Sequence, residues 1–202
     1  MATAKEALAR LCDPRHEVSA HYLLCPDGQI MQMVAEEQRA WHAGAGAWGG
    51  CTDVNSRSIG VELANDGRSP FTAAQMAALE WLLDAFAERW PVPPERVIAH
   101  SDMAPRRKAD PGARFDWRRL ALGGRSVWPE ATERPAPDMG RFCAMARRFG
   151  YPVGEAGDAL LAAFRLRFRP WAWAGVALDE ADMAMIGDLA RRFPVDRGAE
   201  SP

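Results

Sequence analysis

Hydrophobic and polar positions alternate between two periods along this chain. Thr3-Ala-Lys-Glu6 has the form of a capping box, and the Ala/Leu-rich stretch after it predicts a short helix that buries Ala7, Leu8 and Leu11 and stops at Asp13-Pro14. Ser19 to Cys25 changes to two-residue alternation, Pro26-Asp27-Gly28 signals a turn, and Gln29 to Val34 resumes the strand pattern, so a β-hairpin is expected. Ser58 to Leu63 reads as a further strand, with Ile59, Val61 and Leu63 on one face and Gly60 and Glu62 on the other. Phe71-Thr72-Ala-Ala-Gln75 opens a long helix through about Trp90, whose stripe of Met76, Leu79, Leu82, Leu83 and Phe86 is core. Pro91-Val-Pro-Pro94 ends it, and Arg96 to Ala99 is expected to form the strand that delivers His100.

This order implies an α/β fold, a mixed central sheet flanked by helices, with the functional loops gathered at one edge. From about Gly123 to Pro137, Gly, Pro and charge replace periodicity. Helical spacing then returns in Arg141 to Phe149, Ala159 to Phe168 and Glu180 to Phe193, which predicts a small three-helix C-terminal domain. The chain therefore divides into a first domain over 1–125, a linker over 126–137 and a helical domain over 138–198.

With 202 residues, 48% of them hydrophobic, the chain can bury one full core and a small second one. A net charge of −2 argues against a polyanion-binding surface, so no nucleic acid is expected as a partner. Arg165, Arg167 and Arg169 form a local basic run in the C-terminal stretch. Residues 136–202 balance nine Arg against nine Asp and Glu, so the run is expected to be a solvated face above aromatic packing. Cys12, Cys25, Cys51 and Cys143 show no CxxC spacing and read as isolated, mostly buried thiols, with a Cys12–Cys25 disulfide as the alternative. No apolar run reaches the length of a membrane span and no signal-peptide pattern opens the sequence. As written the protein is expected in the cytoplasm as a monomer; an export signal upstream of Met1 would move it to the periplasm or outer membrane.

Chemistry concentrates between His100 and Gly112. This Pro- and Gly-bracketed loop carries His100, Lys108 and Asp110 without periodicity to explain them as core. An imidazole nitrogen and a carboxylate oxygen suit zinc, and Lys108 beside them could stabilise an oxyanion. The alternative is an ordinary capped loop with Lys108 in solvent. Glu62, an acid within a core-like strand, is a candidate general base with a raised pKa, against a salt bridge to Arg57 or Lys108. Trp41-His42-Ala-Gly-Ala-Gly-Ala-Trp-Gly-Gly is a flexible loop whose small residues would let a ligand approach the backbone. His21, inside a strand, is expected to be packed or hydrogen-bonded. His100-Ser101-Asp102 cannot be a catalytic triad, because three consecutive residues cannot converge, and no two histidines have HExxH spacing.

Four ordered motifs carry a family resemblance: Val18-Ser-Ala-His21-Tyr22, Arg39-Ala-Trp-His42-Ala-Gly44, Arg57-Ser-Ile-Gly-Val-Glu62-Leu-Ala-Asn65, and His100-Ser-Asp with Arg107-Lys108-Ala-Asp110-Pro-Gly. Over about the first 125 residues the chain resembles the type 2 N-acetylmuramoyl-L-alanine amidases, zinc peptidoglycan amidases related to the peptidoglycan-recognition proteins. The resemblance implies Zn2+ as cofactor, peptidoglycan or muropeptide as substrate, His100 and Asp110 as metal ligands, and Glu62 as the base that activates the zinc-bound water. Lys108 would stabilise the oxyanion, and Trp41, His42, Asn55 and Arg57 would line the cleft. Phe164-Arg-Leu-Arg-Phe-Arg-Pro170, with the preceding Gly150-Tyr-Pro, resembles a three-helix peptidoglycan-binding module.

A hydrolytic zinc takes three protein ligands. In the family the third is a histidine on a first strand just before the helix with which this sequence begins, and that strand is absent here. Either the natural chain starts upstream of Met1, or His21 or His42 substitutes, or the protein binds muropeptide without cutting it.

Overall fold

A computed structural model of the chain describes residues 3–172 and 175–195. It packs as two compact units, Met1–Gly46 with Asp53–Pro91, and Ala47–Thr52 with Val92–Pro202.

In the first unit Thr3 caps α1 (Ala4–Cys12) by accepting the Glu6 N–H at 3.2 Å, as its spacing predicts. β1 (Tyr22–Leu24) and β2 (Ile30–Gln32) form the antiparallel hairpin, its turn closed by the Gly28 N–H on the Cys25 carbonyl. β3 (Val61–Leu63) runs parallel to β1 on its other side, giving a mixed three-stranded sheet of order β2-β1-β3. This strand is shorter than the run from Ser58 suggests. Residues 54–56 form a 3-10 turn whose first carbonyl, that of Val54, takes the Arg57 N–H and the Ser58 hydroxyl, so the chain is released to pair only beyond it.

Helices cover both faces of the sheet. Leu23 packs with Ala7 and Ala64 on the α1 side, joined by Ala4, Leu11, Met31 and Met33. Tyr22 points the other way, its ring 5.4 Å from Phe86 of α2 (Ala73–Arg89), as two-residue alternation requires. Leu8 is 38% exposed, a correction to the expected stripe: the inward face of α1 is Ala4, Ala7 and Leu11, three and four residues apart. Thr72 caps α2 by accepting the Gln75 N–H at 3.1 Å. Met76, Leu79, Leu82 and Phe86 are buried beneath it. The amide Nε2 of fully buried Gln75 donates to the carbonyls of Leu24 and Ala64 at 2.9 and 3.1 Å, which fastens α2 to the ends of β1 and β3.

The second unit is helical: α3 (His100–Met103), α4 (Trp117–Leu122), α5 (Met139–Phe149), α6 (Gly157–Phe168) and α7 (Glu180–Arg192). The last three lie where helical spacing was expected; α5 and α7 are amphipathic, whereas α6 is buried on most sides and packs against α3, α4 and α5. Phe142, Phe149, Phe164 and Phe168 are 0% exposed, and burial of each contributes roughly 2–3 kcal/mol. Gly150 ends α5 at φ 138°, where a Cβ would collide with the indole of Trp48. Trp48 fills that space edge-on to Phe149 and Tyr151, at 5.5 and 5.3 Å. The later half of the 41–50 loop is thus anchored in this core, with Ala47 N–H on the Met103 carbonyl at 2.9 Å, where flexibility was expected.

Three further expectations change. The strand Arg96–Ala99 does not form: residues 94–96 are a 3-10 turn, the Val97 carbonyl is taken by Arg167, and the Ala99 N–H by Asp102, so these groups bond side chains and not a neighbouring strand. The arginine run is not solvated. Arg165 and Arg167 are 4% and 1% exposed, Arg165 and Arg169 pair with Asp182, and Arg169 also pairs with Asp179, which binds the end of α6 to the start of α7. The first residues of the expected linker are packed: Ser126, Val127 and Pro129 are buried, while 131–134 and 136–137 are exposed without regular structure. The His100 loop groups with the C-terminal helices in the second compact unit. Residues 196–198 of the predicted helical domain lie outside the described residues.

All four cysteines are free, with Cys25 and Cys143 buried, Cys51 half-buried and Cys12 exposed. Among the described residues no helix is long and apolar enough to cross a membrane.

Candidate active site

The loop after His100 folds back on itself through main-chain bonds. The Ser101 N–H donates to the Asp110 carbonyl at 3.2 Å, and the Arg107 and Lys108 N–H groups both donate to the Ala104 carbonyl at 3.0 Å. This brings His100 Nδ1 and Asp110 Oδ2 to 2.5 Å, with the side chains 22% and 56% exposed. Burial alone would raise the Asp110 carboxyl, but the hydrogen bond and charge of His100, with a smaller pull from Lys108, bring it below its usual value. Lys108 itself is half-buried.

Behind this pair lies Asp102, fully buried. Its Oδ2 accepts from Ala99 N–H at 2.9 Å and from Arg167 Nη1 at 2.6 Å, and its Oδ1 accepts from the Tyr151 hydroxyl at 2.9 Å. Burial, then the charge of Asp102, raises Tyr151 well above the usual tyrosine range, so it stays a donor. Asp102, Tyr151 and Arg167 are not among the site residues expected from the sequence, where Arg167 is expected on a solvated face. The partner of Arg167, Asp102, lies outside the C-terminal stretch, so the charge balance of that stretch gives no sign of the pair.

In the first unit, β3 presents Glu62 opposite Leu23, half-buried and not enclosed as a core acid would be. His21 is 1% exposed with both ring nitrogens in use: Nδ1 accepts the Gly60 N–H at 2.9 Å, which leaves Nε2–H to donate to the Gln38 carbonyl at 2.9 Å. It is therefore a hydrogen-bonded structural histidine. His42 lies edge-on to it with centroids 5.4 Å apart and against Gly60, where a Cβ would strike the ring. Asn55 is 8% exposed, and its Oδ1 accepts the N–H groups of His42 and Ala43 at 3.0 and 2.8 Å, so it shapes the loop from beneath. Trp41 is 57% exposed with the Arg39 guanidinium 4.4 Å from its ring, and Arg57 is exposed.

Of the sequence-derived residues, His100 and Asp110 meet, as do His42 and Asn55. Glu62 and Lys108 belong to different units. Nitrogen and oxygen donors converging at His100 and Asp110 fit two positions of a zinc site. Among the described residues no group of three or more His, Cys, Asp or Glu gathers to hold a metal.

A mixed sheet with helices on both faces and an imidazole–carboxylate pair on a folded-back loop are compatible with a metal-dependent hydrolase, and comparisons with known proteins give the class as amidase. Residues 1–113 match the family described as N-acetylmuramoyl-L-alanine amidase, and the chain belongs to that family. It is 35% identical over 221 residues to the N-acetylmuramoyl-L-alanine amidase AmiD of Escherichia coli strain K12, covering 94% of this chain and 79% of AmiD. Among solved structures it is similar to E. coli AmiD in complex with the substrate anhydro-N-acetylmuramic acid-L-Ala-D-γ-Glu-L-Lys, at 33% identity and TM-score 0.86 over 95% of this chain and 85% of that one. It is also similar to AmpDH3 of Pseudomonas aeruginosa in complex with anhydromuramic pentapeptide, at 29% identity and TM-score 0.84 over 96% of this chain and 89% of that one.

Proposed function

We propose that this chain hydrolyses the amide between the lactyl group of N-acetylmuramic acid and L-alanine, as a zinc enzyme acting on peptidoglycan or on soluble anhydro-muropeptides of the kind bound by the two solved relatives. The observation that carries this is the convergence of His100 and Asp110 on a loop held by its own backbone. These two residues would hold the metal, which when bound polarises the scissile carbonyl and lowers the pKa of its water. Glu62 takes the proton of the attacking water and passes it to the leaving amine of L-alanine. The Lys108 ammonium balances the negative charge that develops on the carbonyl oxygen. Trp41 offers an exposed ring against which a sugar or peptide can lie, with His42 and Arg57 as further contacts.

The test is hydrolysis of anhydro-muramyl-tripeptide followed by mass spectrometry, with bound zinc measured per chain. Glu62→Gln should lower turnover by about 10²- to 10⁴-fold at unchanged zinc content. Equal activity in that variant would remove Glu62 as the base. The alternative reading is a muropeptide-binding protein without turnover. Retained binding with no zinc and no hydrolysis in the wild-type chain would select it.

A further inference from the structure

The structure assigns Arg167, on helix α6, the task of setting the position of His100; this rests on the proposed role of His100 as a metal ligand. Arg167 Nη2 donates at 2.9 Å to the carbonyl of Val97, three residues before His100. Its Nη1 donates at 2.6 Å to Oδ2 of Asp102, two residues after. The same Asp102 oxygen holds the Ala99 N–H, immediately before His100. One planar cation therefore grips the chain on both sides of the imidazole, and the Ser101 N–H carries that placement across to the backbone of Asp110.

The Arg167 and Asp102 side chains are both 0% exposed, so water does not compete for their ion pair, and the Val97 bond is partly buried. The guanidinium carbon lies 4.3, 5.0 and 6.0 Å from the ring centroids of Trp117, Phe168 and Phe149, and Nη2 has Ser126 Oγ as a second acceptor at 3.1 Å. A fork that meets two acceptors at fixed separation is a property of arginine; a lysine ammonium can reach one acceptor or the other but does not present that fork. Metal ligands are placed to within about 0.2 Å, and supporting residues that orient them typically change affinity 10- to 100-fold when lost. Arg167 is thus a positioning residue, and the helical segment is part of the apparatus that orients the metal pair.

Three variants of the full chain test this. Arg167→Lys keeps the charge and loses the fork. Arg167→Gln with Asp102→Asn removes both charges, so no lone buried charge remains. Arg165→Gln with Asp182→Asn breaks an equally buried pair on the same helix that is directed at α7. The readouts are zinc affinity by chelator competition, amide exchange at Ala99–Met103, kcat and KM.

For both Arg167 variants zinc affinity should fall about 10- to 100-fold, exchange at Ala99–Met103 should quicken, and kcat should fall at nearly constant KM. The Arg165 control should unfold at lower denaturant with zinc affinity as in wild type. Folded Arg167→Lys with zinc affinity within about twofold of wild type and unchanged exchange would overturn the assignment, as would an equal loss of zinc in the control. If Arg167→Lys does not fold, the neutral pair decides. If the wild-type chain itself takes no zinc, the metal reading fails, and the exchange rates alone decide whether Arg167 holds the His100 turn.

Discussion

Replacing Asn55 by alanine deletes one oxygen that two main-chain donors share. The His42 and Ala43 N–H groups lie 3.0 and 2.8 Å from Oδ1, the second fully buried, and alanine offers neither an acceptor. A buried donor left unmet costs about 1–3 kcal/mol, and water can reach the half-buried His42 bond in part, so the sum should be about 2–4 kcal/mol. Urea unfolding followed by tryptophan fluorescence should show the midpoint lowered by about 1–2 M. Because His42 loses the support that fixes its loop, kcat/KM on a muropeptide should fall as well, while Asn55→Asp, which keeps an acceptor in place, should retain more of both. An alanine variant within about 0.5 kcal/mol of wild type and equally active would refute the view that Asn55 shapes this loop.

Gly60→Ala places a methyl group inside the His42 ring position, so overpacking should cost about 1–3 kcal/mol and shift the His42 ring resonances by NMR; a variant with unchanged stability and spectrum would count against that contact. Acid should reveal the Glu36 cluster, in which the carboxylate accepts from Arg89, the Tyr22 hydroxyl and the Trp90 indole N–H. The Arg89 hydrogen bonds are the main reason its pKa falls from 4.5 to about 2. A depressed carboxylate stabilises the fold fully above the unfolded value and loses that contribution as pH falls from about 4.5 to about 2, and with Arg89 46% exposed the loss should be no more than about 2–3 kcal/mol. Unfolding of wild type and Glu36→Gln across that window checks it, and identical pH slopes for the two would be the contrary result.

Elements governed by neighbours in sequence were legible before any coordinates. Thr3 and Thr72 cap the helices their spacing announces, and the Pro26-Asp27-Gly28 turn sets the hairpin, because each acts within three or four residues. What stayed hidden depends on partners far along the chain. Val97-Ile98 has strand composition, yet the bond that redirects Val97 comes from Arg167, seventy residues later. An arginine in an alternating Phe-Arg-Leu-Arg-Phe run looks solvent-facing until Asp102 and Asp182 are known to lie against it. The site was half legible for the same reason. His100 and Asp110 share one loop and could be paired by chemistry, whereas the task of Asn55 became visible only with the His42 loop above it.

The salt bridge of Asp102 with Arg167 also constrains how such a chain can be altered. An aspartate sealed in the interior tolerates loss of its counter-ion poorly, so positions 102 and 167 are expected to be inherited or exchanged together. A shortened version lacking α6 would leave that acid stranded. To survive, it would have to neutralise position 102 or recruit a cation from some other part of the molecule, and the helices could not be swapped between enzymes as an independent cassette.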